Sequence, residues 1–113
     1  IGPYYTFFTK KEINYLPEVL RDGEVIKAIT SGTYDNNTWL IVCTNLRFLF
    51  LDKGLIYGLK QVDIPLDKVN SIQFETGLLL AKITVWDGAS KVVIENVAKD
   101  FVKDFVNRAN DSL

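Results

Sequence analysis

The feature that most limits what this chain can fold into is the period of its apolar residues, which changes twice along 113 positions. Before Glu24 the spacing is near four, from Glu24 to Glu95 it is two, and after Val97 it returns to 3.6. The middle region divides into seven strand-like runs, 24–33, 38–44, 46–52, 59–65, 68–76, 79–86 and 91–95. Between them lie Tyr34-Asp35-Asn36-Asn37, the loop from Lys53 to Gly58, Thr76-Gly77 and Asp87-Gly88-Ala89-Ser90, which supply the Gly, Asn and Asp that tolerate turn dihedrals. No connection has the length or period of a crossover helix. The sheet is therefore expected to be antiparallel throughout, and a parallel α/β fold is excluded.

The last segment predicts an amphipathic closing helix. Ala98, Phe101, Val102, Phe105, Val106 and Ala109 form one stripe, with Lys99, Asp100, Lys103, Asp104 and Arg108 opposite. Asn96 is the expected N-cap and Asn110-Asp111 the stop, and Phe101 and Phe105 are expected to be hidden in the open end of a bent sheet. At the other terminus, Thr9-Lys10-Lys11-Glu12 has the pattern of a capping box, which starts a short helix at Lys10. Pro17 is expected to split that helix into two turns, and Asp22-Gly23 to end it. Leu40-Ile41-Val42-Cys43 and Phe48-Leu49-Phe50-Leu51 are apolar on both faces, so their outer side needs a cover, either the aromatic N-terminal arm or another subunit.

Composition sets the function classes. Thirteen Lys and Arg against fourteen Asp and Glu leave a net charge of −1, too weak a field for nonspecific attraction to nucleic acid or anionic lipid. With no histidine, serine and cysteine nucleophiles lack their usual base, and no Cys/His cluster exists for zinc. The nearest carboxylate pairs, Asp63 with Asp67 and Asp100 with Asp104, read as turn and exposed-helix charges rather than an acid/base couple. Neither a Walker-type loop nor a dinucleotide fingerprint occurs, and no cofactor is expected. Cys43, the single cysteine, lies in an apolar run and is expected to be a buried thiol. No apolar stretch approaches the ~20 residues that span a bilayer, and no signal-peptide pattern is present, which leads to a cytoplasmic expectation. Starting at Ile1 and lacking methionine, the sequence reads as a fragment whose missing flanks carry part of the function.

Seven antiparallel strands and a terminal helix follow the pleckstrin-homology order, and local words agree with it. Gly23-Glu24-Val25-Ile26, Thr44-Asn45-Leu46-Arg47-Phe48 and Ile64-Pro65-Leu66-Asp67-Lys68-Val69 resemble the bacterial pleckstrin-homology-like domains of the YokE-like group, as do Thr76-Gly77-Leu78-Leu79 and Ile94-Glu95-Asn96-Val97. The resemblance covers about residues 16–109. It implies an α+β, mainly β fold: a seven-stranded antiparallel, partly open barrel closed by one C-terminal helix, with a short N-terminal helix. On this reading residues 1–23 are an arm and short helix, 24–113 are the pleckstrin-homology-like part, and the whole is one domain. The resemblance also implies a cytoplasmic module that self-associates; the absences above lead to the expectation that it has no reaction of its own.

Phosphoinositide-binding relatives gather cations around the loop between the first two strands. Here Ser31 to Thr38 holds one acid and no base, and across that end Asp35, Asp52 and Asp87 cancel Lys53, Lys60 and Lys91, which disfavours inositol phosphates. Arg47 is read as a structural partner for a nearby carboxylate or for turn carbonyls. Three apolar features lack an obvious home: Tyr4, Tyr5, Phe7 and Phe8; the loop Leu55-Ile56-Tyr57; and Trp39 with Trp86. These nine residues are the expected contact surface for a second copy or another protein. The rival expectations are a carrier or sensor of a small apolar ligand or lipid at the barrel mouth and, last, a carboxylate-based hydrolase. Contact with a membrane is left open.

Overall fold

The strands form because each apolar run buries one face, or two, against a different layer. The computed structural model describes residues 3–53 and 58–113, except for the side chains of residues 3–10. Helix α1 (Pro3–Val19) is followed by β1 (Ile26–Tyr34), β2 (Asn37–Thr44), β3 (Arg47–Lys53), β4 (Leu59–Pro65), a 3₁₀ turn at Leu66–Lys68, β5 (Ser71–Thr76), β6 (Leu80–Asp87), β7 (Ser90–Ala98) and α2 (Lys99–Asp111). All seven strands join one antiparallel sheet in the order β4-β3-β2-β1-β7-β6-β5. With β4 and β5 at its two edges, the bent sheet makes a partly open barrel, and α2 packs on β1, β5, β6 and β7 to close it.

Strands β2 and β3 show why the doubly apolar runs exist. Ile41 pairs with Phe50 and Cys43 with Phe48, pointing into the barrel, whereas Leu40 pairs with Leu51 and Val42 with Leu49 on the outer face. The inner set meets Ile83, Val85, Ile94, Val97 and Phe105 in the main core, where the Phe48 and Phe105 rings lie 6.3 Å apart. The outer set is covered by Leu16, Ile13, Val19 and Leu20 of α1 and the residue that follows it. The cover is thus intramolecular, and its aliphatic residues make a second core. Cys43 is fully buried, and that burial pushes its thiol up to about 11.

Two hairpins follow turn chemistry closely. Asp35 and Asn36 both take positive φ, 52° and 63°, the requirement of a two-residue type I′ turn between β1 and β2. Gly88, φ 70°, does the equivalent work between β6 and β7.

Several expectations are corrected. Helix α1 begins at Pro3, not Lys10, so Thr9 and Glu12 lie inside it and form no capping box. Glu12 is buried, and its carboxylate accepts a 2.8 Å hydrogen bond from the backbone N–H of Lys53. Pro17 does not split the helix: it sits in the last turn, and Leu20 N–H still donates to the Leu16 carbonyl at 3.1 Å. Strand β1 starts at Ile26, because Glu24 belongs to the preceding turn, and β5 starts at Ser71, because the 3₁₀ turn occupies Leu66–Lys68. Strand β7 continues to Ala98. Asn96 therefore does not cap α2; it takes φ 56° within the strand and donates to the Thr33 hydroxyl at 3.2 Å.

Candidate interaction surface

The connection from β5 to β6 breaks the usual chemistry of turns. Gly77 N–H donates to the Leu80 carbonyl at 2.8 Å, which closes the hairpin and leaves Leu78 and Leu79 as its two tip residues. Tips normally carry Gly, Asn, Asp or Pro, which favour the dihedrals and water. Here Leu78 is 91% exposed and Leu79 79%. Sequestering each side chain from water is worth roughly 1.5–3 kcal/mol. The ladder pair Leu80 with Ala98 sets this tip beside the start of α2, where Phe101 is 42% exposed rather than hidden in the barrel. The α2 stripe turns Val102, Phe105, Val106 and Ala109 inward, and Phe101 falls at its edge. Leu78, Leu79, Leu80, Ala98 and Phe101 thus line an open groove of about 430 Å³, with Lys99 and Asp100 at its rim. With Phe74 also partly exposed on β5, five of the nine exposed large apolar side chains among the described residues gather around this hairpin. Clusters of that kind are candidate contact sites.

Of the nine residues expected to form a contact surface, Trp39 and Trp86 are the two whose side chains are described. Trp39 is 4% exposed, packs 6.2 Å from the Phe50 ring and donates its indole N–H to the Tyr34 carbonyl at 2.7 Å, so it is a core residue and not a surface anchor. Trp86 is half-buried at the far end of β6 from Leu80, with the Lys91 amine 5.3 Å from its ring. Tyr4, Tyr5, Phe7 and Phe8 fall in the first turns of α1, where side chains lie outside the described residues; Leu55, Ile56 and Tyr57 lie outside them altogether. The sequence signal for the apolar tip is Gly77-Leu78-Leu79-Leu80, in which leucines follow the turn glycine directly.

Charges at the other loops are engaged locally. The Lys53 amine sits 4.7 Å over the Tyr15 ring and Lys60 reaches the Asn37 side chain at 3.5 Å. A second groove of about 410 Å³, lined by Lys27, Asn45, Arg108, Asp111 and Ser112, mixes both signs, and Arg108 already pairs with Asp104 at 2.9 Å.

Arg47, 3% exposed, is a structural tie. Its Nε and one terminal nitrogen donate to Glu24 at 2.9 and 3.0 Å, the other terminal nitrogen to Asp63 at 2.6 Å, and a further bond reaches the Val19 carbonyl at 2.8 Å. One guanidinium thereby joins the end of α1, the turn before β1 and strand β4. Burial works to raise the Glu24 pKa, but donors from Arg47, the Arg21 N–H and the Thr44 hydroxyl outweigh it, and the group falls from 4.5 to about 2. Because the folded form binds its proton less readily than the unfolded chain, this stabilisation is present above pH 4.5 and is lost as the pH falls toward 2. Urea unfolding followed from pH 6 to pH 2 is expected to lose roughly 3 kcal/mol through Glu24, a slope that Glu24→Gln removes.

The comparisons with known proteins agree with this architecture. The sequence profile of the family described as "Bacterial PH domain" matches residues 20–111. A pleckstrin homology domain from Shewanella amazonensis SB2B superposes with a TM-score of 0.60 at 22% identity, covering 94% of this chain and 89% of that one. A DUF1696 family protein with a pleckstrin-homology domain from Shewanella loihica PV-4 gives 0.61 at 20% identity, with 92% of each chain covered. Among curated proteins none matches. No described helix is long and apolar enough to cross a membrane. The profile match runs from the end of α1 to the last turn of α2, and so takes in every strand; this chain belongs to the bacterial PH domain family.

Proposed function

We propose that the chain is a non-catalytic bacterial PH-like module of the YokE-like kind, cytoplasmic, that works through protein–protein contacts and associates with copies of itself. The observation that carries this reading is the apolar hairpin tip, Leu78 and Leu79, beside the Phe101 groove. A hairpin that only reversed the chain would gain nothing from two leucines in water, and selection for solubility works against them. The absence of reaction chemistry rests on the residues: there is no histidine, Asp63 is tied to Arg47, and Asp104 to Arg108. The rival reading is a carrier or sensor of a small apolar or lipid ligand at the barrel mouth; Ile83, Val85, Ile94 and Phe105 are buried together in the main core.

Light scattering coupled to size-exclusion chromatography, run as a concentration series, is expected to show a mass above that of one chain by high micromolar concentration. A strict monomer across the series overturns the self-association part of the reading.

A further inference from the structure

We propose that the β5–β6 tip forms a closed, two-fold interface with a second copy of this chain, the Leu78–Leu79 knob of each copy seated in the Leu80–Ala98–Phe101 groove of the other. The inference rests on the reading of the chain as self-associating, and it adds the surface, the symmetry and the charge pairing.

Shape supplies the first support. The knob is one wall of the groove, with Leu80, Ala98 and Phe101 completing it, so a two-fold rotation lays the tip of each copy into the groove of the other and leaves no open end for further addition. Two other grooves are lined mainly by polar and charged residues, one by Lys27, Asn45, Arg108, Asp111 and Ser112, the other including Glu75, Lys82, Glu95 and Asn96. A leucine knob is matched by the apolar groove beside it and not by either of these.

Charge supplies the second support. Lys99 and Asp100 are both exposed at the rim; the Lys99 amine donates to the Leu78 carbonyl at 3.5 Å, and neither residue has an ion-pair partner among the described residues. In a two-fold contact a pairing of residue i with j recurs as j with i, so Lys99 of one copy set opposite Asp100 of the other makes two reciprocal ion pairs. The nearby Lys82 and Glu75 already pair at 3.7 Å, so the collar around the knob is balanced in sign. It lacks the cation excess that a surface of anionic lipid rewards, and a second copy, which carries the same balance, meets no repulsion.

The test uses the 113-residue chain and three variants at exposed positions, each checked for native circular dichroism. The wild type is expected to plateau at twice the chain mass. Leu79→Glu should raise the dissociation constant roughly a hundredfold or more. Lys99→Glu and Asp100→Lys should each weaken association alone, since each sets like charges face to face, whereas an equimolar mixture of the two should recover it. That recovery is specific to reciprocal pairing. A wild type that stays monomeric overturns both the self-association reading and this interface. A dimer insensitive to Leu79→Glu leaves self-association standing and overturns this surface. Growth beyond twice the chain mass overturns two-fold closure, and a monomeric wild type that co-sediments with neutral phosphatidylcholine vesicles through Leu79 assigns the tip to lipid instead.

Discussion

Replacing Arg47 with methionine will lower the unfolding free energy by about 3–5 kcal/mol, a large share of the 5–15 kcal/mol typical of a domain. The size of the loss comes from what stays behind. Glu24 has a side chain with no solvent exposure, and without the guanidinium its carboxylate is buried with only the Thr44 hydroxyl and the Arg21 N–H for partners. The Val19 carbonyl also loses its 2.8 Å donor, which loosens the end of α1. Asp63 is about one-third exposed, so water can replace its lost partner at small cost. Equilibrium urea unfolding measures the effect. The double variant Arg47→Met, Glu24→Leu should recover most of the loss, because a buried ion pair is worth little more than well-packed apolar residues of similar volume. If the single variant lost less than about 1 kcal/mol, a magnitude typical of surface pairs, the cluster would not be the tie described here.

Much of the fold was legible because the signals were local. Alternation in β6 and β7, the type I′ pair Asp35-Asn36 and the stripe on α2 each involve residues within one or two turns of each other. What was not legible depends on contacts across the chain. Thr9-Lys10-Lys11-Glu12 matches a capping box in sequence, yet Glu12 serves Lys53, 41 positions away, and only the packing of α1 over β2 and β3 reveals that. Apolar strands with two buried faces required a cover, and Ile13, Leu16 and Leu20, which help to supply it, fall at helical spacing, but periodicity does not say which sheet face a helix meets. The apolar hairpin tip was not legible for a different reason. Leu79 was assigned to the strand after Thr76-Gly77, since leucine is apolar and strands bury apolar residues; the backbone places it at the hairpin tip instead, where local pattern and local role disagree. Such disagreement marks a candidate functional position. Trp39 is the reverse case, a large aromatic that satisfies its indole within its own hairpin.

The second large effect is expected at Gly32, where β1 passes against β7. A Cβ built there lies 2.5 Å from the Ile94 Cγ2 atom, 2.9 Å from the Glu95 carbonyl and 3.0 Å from the Val97 Cγ2 atom. Ile94 and Val97 are fully buried β-branched residues with stiff side chains, and the third neighbour is backbone, so none of the three yields cheaply. The seam is also thin, with Thr33 and Glu95 its ladder pair, while β1 pairs with β2 along nearly its whole length. Gly32→Ala should cost about 1–3 kcal/mol and Gly32→Val more than that, both by overpacking. Gly58→Ala is the control: nothing lies within 4 Å of a Cβ at that position, and its expected effect is between neutral and slightly stabilising. Urea unfolding of the three variants gives the ranking, and amide hydrogen exchange should locate the Gly32→Ala damage at the β1–β7 seam rather than in β2 and β3. The strand on the far side of that seam ends at Ala98, in the groove beside the leucine tip, so a seam that opens also displaces the surface assigned to association. Gly32→Ala should therefore weaken self-association while leaving every residue of the interface in place, and a variant that lost seam protection yet associated normally would separate the groove from the strand that carries it.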